Sequence, residues 1–370
     1  MNNKKVYLHQ IATHLPKASF SQETVLKFML DHFDDTDGKH SFLKKIYNNS
    51  AVSKRYSVIE DYDKSPEEYK FFPKNATLKP EPSTFQRNEL YILEASRLSI
   101  EAVKKLLNEL PRLDKNKITH IITVSCTGFS APGFDFDIIK ELGLNLTINR
   151  FHLGFMGCFA AFPALKLARN ICLSEPDAKV LVVNVELCSL HFQLSSDPDI
   201  LIANSLFADG ITAALISSEV NDTIASAPKI VMHDFLSLLI PGSDENMTWK
   251  IGETGFKMRL SSYVPQILDQ NMNLVMAEFK KKTSIPINDV ELWAIHPGGR
   301  AILDRLYKTL GSVKEDFSPS YDVLNEYGNM SSATIMFVLA RILENNKKGR
   351  IFTAAFGPGL TVETGYLEKI

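Results

Sequence analysis

The chain has 370 residues, 45% of them hydrophobic, which is enough to bury a large core in one big domain or two fused halves. Its 41 basic and 43 acidic side chains leave a formal charge of -2, so no global field favours nucleic acid or an anionic membrane, and any anionic ligand must be held by a local cluster. The N-terminal MNNKKVYLHQIATHLP has no apolar stretch of signal-peptide length, and nowhere do about 18 apolar residues run together. A soluble cytoplasmic protein without stable membrane insertion is expected.

In chain order, the first feature is the basic segment FLKKIYNNSAVSKRY, with Lys44, Lys45, Lys54 and Arg55. From Asp61 to Arg87 the sequence is polar, carries Pro66, Pro73, Pro80 and Pro82, and lacks hydrophobic periodicity, so it is expected to run over the surface as a loop. Beyond it, short β-rich runs alternate with amphipathic helical stretches, the pattern of an α/β protein whose sheets are covered by helices. The clearest strands are HIITVSC (His120 to Cys126), KVLVVNVEL (Lys179 to Leu187), TAALISS (Thr212 to Ser218), VELWAIH (Val290 to His296) and RIFTAAF (Arg350 to Phe356). The 4 cysteines, Cys126, Cys158, Cys172 and Cys188, form no CxxC pair; they are read as reduced thiols, and no metal site is expected.

The recurrence of the helix-strand theme points to an internal repeat. Sliding the chain so that Leu167-Ala168-Arg169 falls on Leu339-Ala340-Arg341 also brings the strand starting at Val180 onto that starting at Phe352, without a gap. Gly157-Cys158 then falls on Asn329-Met330. Duplicated halves, each presenting a helix N-terminus to a shared cleft, account for both matches; chance similarity of two helix-strand units is the alternative.

Three residues carry candidate chemistry. In GFMGCFAAFPALKLARN, Cys158 follows Gly157 at the start of a helical stretch, where a tight turn and the positive helix end are expected to lower the thiol pKa. Phe159, Phe162, Leu165 and Leu167 bury that helix, and Pro163 either kinks it within its first turns or sits where an amide bond is already absent. His296 ends a strand and precedes Pro297-Gly298-Gly299, the place where sheet-based sites present their side chains. Asn329 follows Gly328 and, with Ser331, is able to cap the next helix. Each has a structural explanation when taken alone: a buried hydrophobe, a satisfied histidine, a helix cap.

Taken together, GCFAAF, WAIHPGGRAIL, EYGNMSSA and FGPGLTVET resemble, in order and spacing, the type III polyketide synthases related to chalcone synthase. The resemblance runs from about Lys45 to Leu367, and VSCTGFSAPGFD and GFMGC are more similar to bacterial members than to plant ones. It implies an α/β thiolase fold, a five-layered αβαβα arrangement of two related halves (1–225 with the cysteine, 226–370 with the histidine and asparagine), and a homodimer. It implies that Cys158 attacks an acyl thioester and carries the growing chain, that His296 holds the sulfur as thiolate, and that His296 and Asn329 stabilise the enolate left when malonyl-CoA loses carbon dioxide. The substrates implied are malonyl-CoA and an acyl-CoA, with an acyl carrier protein as an alternative donor, and no cofactor. Phe207 matches the phenylalanine between CoA tunnel and cavity. Gly357, Pro358 and Gly359 match a loop beside the cysteine, and Thr127 and Ser331 fall among the cavity positions. Lys44, Lys45, Lys54 and Arg55, with Gly298, Gly299, Arg300 and Ala301, are the implied CoA contacts.

The sequence departs from the plant pattern at the cavity. Met258 stands for a second gatekeeping phenylalanine, Trp249 for a glycine, Cys126, Cys188 and His191 for small threonines, and Ala131 for a methionine that crosses the dimer interface. A flexible methionine and an apolar lining suit a long-chain fatty acyl starter with few extensions, giving an alkylpyrone, an alkylresorcinol or a related product. A condensing enzyme that makes one carbon-carbon bond, and an inactive acyl-binding partner subunit, are the competing readings.

Overall fold

The computed structural model describes residues 4–34, 38–218 and 229–370. The division expected between residues 225 and 226 lies outside them. The first half comprises β1 (Tyr7–His14), β2 (Ala18–Ser21), α1 (Gln22–His32), α2 (Lys39–Asn49), β3 (Lys54–Ser57), α3 (Thr84–Glu109), β4 (His120–Ser125), α4 (Phe134–Leu142) and β5 (Asn149–Gly154). It continues with α5 (Ala161–Ser174), β6 (Lys179–Leu187), α6 (Pro198–Leu206) and β7 (Asp209–Ser217). The second half comprises β8 (Ile230–Leu239), β9 (Met247–Gly252), β10 (Gly255–Leu260), α7 (Val264–Thr283), β11 (Leu292–Ile295), α8 (Arg300–Thr309), α9 (Ser318–Tyr327), α10 (Ser332–Glu344), β12 (Gly349–Gly357) and β13 (Thr361–Lys369).

One nine-stranded sheet runs β11-β12-β13-β8-β1-β7-β6-β4-β5. Its two ends repeat one pattern. β4 pairs parallel with β6, which pairs antiparallel with β7; β11 pairs parallel with β12, which pairs antiparallel with β13. The crossover in each case carries a central helix, α5 or α10, so the repeat seen in the sequence is a repeat of the fold. The halves meet where β1 pairs with β8 at Tyr7↔Val231 and Leu8↔Ile230.

Alternation along the strands divides the core into layers. Val180 and Val182 of β6 and Ile351 and Ala355 of β12 face a central cluster containing α5 and α10. Leu181, Val183 and Val185 of β6 face the cluster under α3 and α4, while Phe352, Ala354 and Phe356 of β12 face the one under α7 and α8. Helix, sheet, helix pair, sheet and helix make the five layers of a thiolase fold. Burial on both faces explains why β6 is largely apolar and does not alternate, and why α10, buried on nearly every side, shows no polar face. Pro163 is the third residue of α5, where no intrahelical amide bond is lost.

The stretch before α3 departs from expectation in part. Tyr62, Tyr69, Phe72 and Leu78 are buried, and Phe28, Phe72 and Phe192 pack around Tyr62. The buried Asp61 carboxylate accepts the amides of Lys70, Phe71 and Phe72, so this irregular backbone is satisfied internally. It runs over the surface as an irregular loop, as expected, but its aromatic side chains are sunk into the core. Helix α3 then starts at a capping box formed by Ser83 and Gln86.

Candidate active site

A buried cavity lies between the two halves, with Cys158 on its wall. Cys158 sits on a turn, three residues before α5 begins at Ala161, and not in the helix itself. Gly157 makes the turn with φ 84°, and a Cβ there would meet Pro358 Cδ at 2.3 Å. Gly357 backs onto the same turn: a Cβ there would meet the Phe159 ring at 2.4 Å. The FGPG loop therefore presses on the cysteine turn, with Pro358 in the cavity wall and Gly357 and Gly359 outside it.

Asn329 enters from the second half. Its amide donates to Leu206 O at 2.8 Å and its carbonyl accepts from Ala208 at 2.9 Å, a bridge that fixes it beside Phe207. The Ser331 amide donates to Asn329 Oδ1 at 2.9 Å, which turns Nδ2 toward the Gly298 carbonyl (3.3 Å) and into hydrogen-bonding reach of the Cys158 sulfur. The expected side-chain cap is absent: Asn329 Oδ1 takes the amide of Ser331, ahead of α10, and the Ser331 side chain makes no cap bond but shares the cavity wall with Cys158.

His296 follows β11, and its amide bonds Ala354 O at 2.8 Å. Gly298, whose carbonyl takes the Asn329 amide, lies against the imidazole edge: a Cβ on it would stand 3.6 Å from Nε2. Sulfur, carboxamide, Gly298 and imidazole thus form one chain of contacts. Both ring nitrogens of His296 are buried and have no hydrogen-bond partner among the described residues. Neither His296 nor Asn329 lines the cavity itself.

Burial dominates the electrostatics. The Cys158 thiol is pushed up to about 12 by desolvation, with the Ser331 hydroxyl and Asn329 amide opposing and the Glu186 carboxylate adding to the rise. Desolvation lowers His296 to about 3. The expectation of a lowered thiol pKa is therefore corrected: a helix end beginning three residues away does not offset the loss of water, and burial favours the neutral thiol and the neutral imidazole.

The cavity wall also contains Phe207, Cys126, Thr127, Cys188, His191, Trp249 and Met258. Trp249 and Met258 are cross-strand partners in the β9–β10 hairpin. Trp249 Nε1 donates to Cys126 O at 2.7 Å, and the indole stands edge-on to the His191 and Phe256 rings. His191 stacks on Phe256 at 4.1 Å, donates from Nε2 to Thr127 O and accepts the Phe256 amide at Nδ1. With both nitrogens engaged and its pKa held at about 3 by burial, it is a wall and not a base.

The implied CoA residues divide. Lys44, Lys45, Lys54, Arg300 and Ala301 are exposed, with Arg300 paired to Asp304 at 3.1 Å. Gly298 and Gly299 lead into the N-terminus of α8, and Gly299 packs against Leu206, the residue before Phe207. Arg55 is corrected: it is buried, with Nη1 donating to Asn204 O (2.6 Å) and Phe207 O (3.1 Å) and Nη2 to Ser205 O (2.9 Å) and Gln22 Oε1. It fastens the α6 C-terminus to β3, and its burial, beside the cavity, keeps it from the exposed lysines.

Two residues were missed. Glu186, buried on β6, accepts from Cys126 N (3.1 Å) and the Ser332 hydroxyl, and desolvation raises its carboxyl to about 7. A lone acid in an apolar strand was the signal. Phe256 lies two residues before Met258 on one strand and shares its face, so strand alternation pointed to it.

All 4 cysteines are free and buried. Among the described residues no group of three or more His, Cys, Asp or Glu is placed to hold a metal, and no helix is long and apolar enough to cross a membrane.

Solved structures share this architecture over the whole chain. A polyketide synthase from the brown alga Ectocarpus siliculosus superposes with a TM-score of 0.89 at 28% identity, covering 100% of both chains. The C-terminal type III polyketide synthase domain of a type I/III hybrid from Dictyostelium gives 0.90 at 28% identity, covering 99% of each. Fold and cavity define a thiolase-fold acyltransferase.

The chain belongs to the chalcone and stilbene synthases, whose N-terminal domain model matches residues 1–220 and whose C-terminal model matches 232–370. It is a type III polyketide synthase of bacterial kind, 31% identical over 359 residues to an alpha-pyrone synthesis polyketide synthase-like protein of Mycobacterium tuberculosis. That match covers 95% of this chain and 88% of the relative, and the Mycobacterium bovis protein matches equally.

Proposed function

We propose that the protein condenses malonyl-CoA onto a long-chain fatty acyl-CoA, with Cys158 carrying the chain and His296 and Asn329 acting on the thioester oxygen. The observation that carries this reading is the buried His296 ring, with no partner for either nitrogen, joined through Gly298 and Asn329 to the sulfur. Neither charge is stable alone in so dry a site, so one proton passes from Sγ to the ring as the sulfur attacks the starter carbonyl; coenzyme A leaves as the thiol by taking that proton. Malonyl-CoA then places its thioester oxygen against the imidazole N–H and Asn329 Nδ2. Carbon dioxide departs with the bond electrons held as enolate, and the enolate carbon displaces Cys158 from the acyl carbonyl. Donors aimed at such an oxyanion contribute about 10²- to 10³-fold each.

A long apolar starter is supported by Met258 and the aliphatic and aromatic lining, and few extensions by the wall of Trp249, His191 and Phe256. The relative's name, alpha-pyrone synthesis, favours ring closure through oxygen. Exposed Lys44, Lys45 and Lys54 are suited to CoA phosphates, with the α8 N-terminus adding amides. A homodimer is supported by exposed Phe85, Leu93, Phe129, Phe136 and Phe151 around edge strand β5, on elements tied by the Asn88–Phe129 hydrogen bond and the Arg150–Asp135 ion pair.

The test is incubation with isotopically labelled malonyl-CoA and a panel of acyl-CoAs, with products read by mass. Two or three labelled units on a fatty acyl starter support the reading. A single unit would make it a one-step condensing enzyme, and selective use of short aromatic starters would remove the long-chain assignment.

A further inference from the structure

Ser331 occupies a backbone conformation that an L-residue adopts only under constraint, φ 47° and ψ -127°, a region open to glycine. The surroundings enforce it. The residue before it but one, Asn329, is locked in the bridge to Phe207, the Ser331 amide is held by Asn329 Oδ1, and the Met330 amide donates to Thr334 Oγ1 at 2.8 Å. Helix α10 begins one residue later, at Ser332.

A serine in this N-cap position ordinarily turns its hydroxyl back to accept an amide of the first helical turn. Ser331 makes no such bond. Its carbonyl accepts from the Thr334 amide and hydroxyl, so the helix end is closed without its side chain. The strained backbone therefore releases the hydroxyl from capping and carries it into the wall of the cavity that Cys158 also lines.

We propose that the Ser331 hydroxyl is a dedicated hydrogen-bond donor to the Cys158 thiolate, and that the strain at Ser331 is what aims it. The inference rests on Cys158 being the nucleophile. A hydroxyl that donates to the anion and has less to gain from a neutral thioester sulfur stabilises the attacking state selectively. The direction of its effect on the thiol agrees: the Ser331 hydroxyl is the first of the groups that oppose desolvation, ahead of Asn329 and the cysteine's own amide. This assigns Ser331 to sulfur activation, separate from shaping the polyketide chain.

The experiment measures alkylation of the full-length native protein by iodoacetamide across pH, with the modified cysteine located by peptide mapping, in wild type, Ser331→Ala, Ser331→Gly and Ser331→Thr. Loss of a hydrogen bond to a charged group moves the midpoint upward by about one to two pH units, so Ala should lower the neutral-pH rate at Cys158 about tenfold or more. Gly, which relieves the strain but lacks the hydroxyl, should behave like Ala, and Thr should recover most of the rate. A wild-type profile in folded Ala and Gly variants would overturn the proposal, as would recovery by Gly, which would make backbone placement the operative feature. The readout is taken on the sulfur without condensation, so a failed product assay together with the expected shifts in the Ala and Gly variants would refute the functional reading and leave the Ser331 assignment standing.

Discussion

The two halves of the molecule repeat one β-α-β unit and bring different groups to one cleft. In the first, the connection from β5 to α5 delivers a sulfur on a glycine turn; in the second, the connection from α9 to α10 delivers a carboxamide held by a bridge to Phe207. The turns are equivalent in the repeat, Gly157-Cys158 against Asn329-Met330, yet the first is set by a missing side chain and the second by hydrogen bonds. A duplicated fold brings two helix N-termini to one cleft, and the chemistry diverges in the few residues just before each helix.

The largest expected contrast comes from deleting the two delivered groups. On the proposed roles, Cys158→Ala should abolish condensation, because it removes the sulfur that carries the acyl chain. Asn329→Ala should leave acyl loading and lower malonyl decarboxylation by about 10²- to 10³-fold, read as carbon dioxide release. Equal loss of loading in both variants would erase the division of labour between the halves.

Next comes the turn itself. Gly157→Ala adds a Cβ 2.3 Å from Pro358 Cδ at a φ of 84°, so the FGPG loop must move and the sulfur with it. A loss of about 10²-fold in condensation rate is expected, since displacements on the order of 1 Å cost that much. Full activity would mean the loop does not fix the sulfur.

Trp249→Ala should change the product more than the rate. It removes the indole latched to Cys126 O and opens the wall shared with His191 and Phe256, so products should gain malonyl units by mass. An unchanged product distribution would show that the hairpin does not limit extension.

The smallest effect is on stability. His9, His191 and His296 are each held at about 3 against the usual 6.5 by burial, so their contribution is complete above 6.5 and is lost as pH falls toward 3. Glu186, raised to about 7 from 4.5, and Asp209, raised to about 6 from 3.8, also by burial, act the other way: their contribution is present below the unfolded values and lost as pH rises through the folded ones. Urea titrations should therefore show a modest change from pH 7 to 5 and a fall that steepens below about 4.5, reaching roughly 4 kcal/mol per pH unit below about 3.8, where Asp209 no longer opposes the three imidazole protons. A flat profile to pH 3.5 would contradict neutral buried imidazoles.

Legibility in the sequence followed burial. Strands sealed on both faces, such as β6 and β12, were plain because most of their positions are apolar; β13 was not, because TVETGYLEK mixes Glu363, Glu368 and Lys369 into a strand at the meeting of two halves. The flank holding Tyr62, Tyr69 and Phe72 read as a loop because its aromatics lack a period and are buried by Phe28 and Phe192, distant in sequence. Motif order led to Cys158, His296 and Asn329, which the fold links. Arg55 was misplaced because a local run of cations suggests a surface, and only the folded chain turns the guanidinium onto α6 carbonyls. The thiol pKa was misjudged because a helix end is visible in sequence and desolvation is not.

The central claim is that the sulfur of Cys158 takes the acyl group. Intact mass and peptide mapping of the protein after brief exposure to a fatty acyl-CoA, without malonyl-CoA, tests it directly. One acyl group on the Cys158 peptide, lost in Cys158→Ala, is the predicted result; acylation elsewhere, or normal product formation by Cys158→Ala, would contradict it.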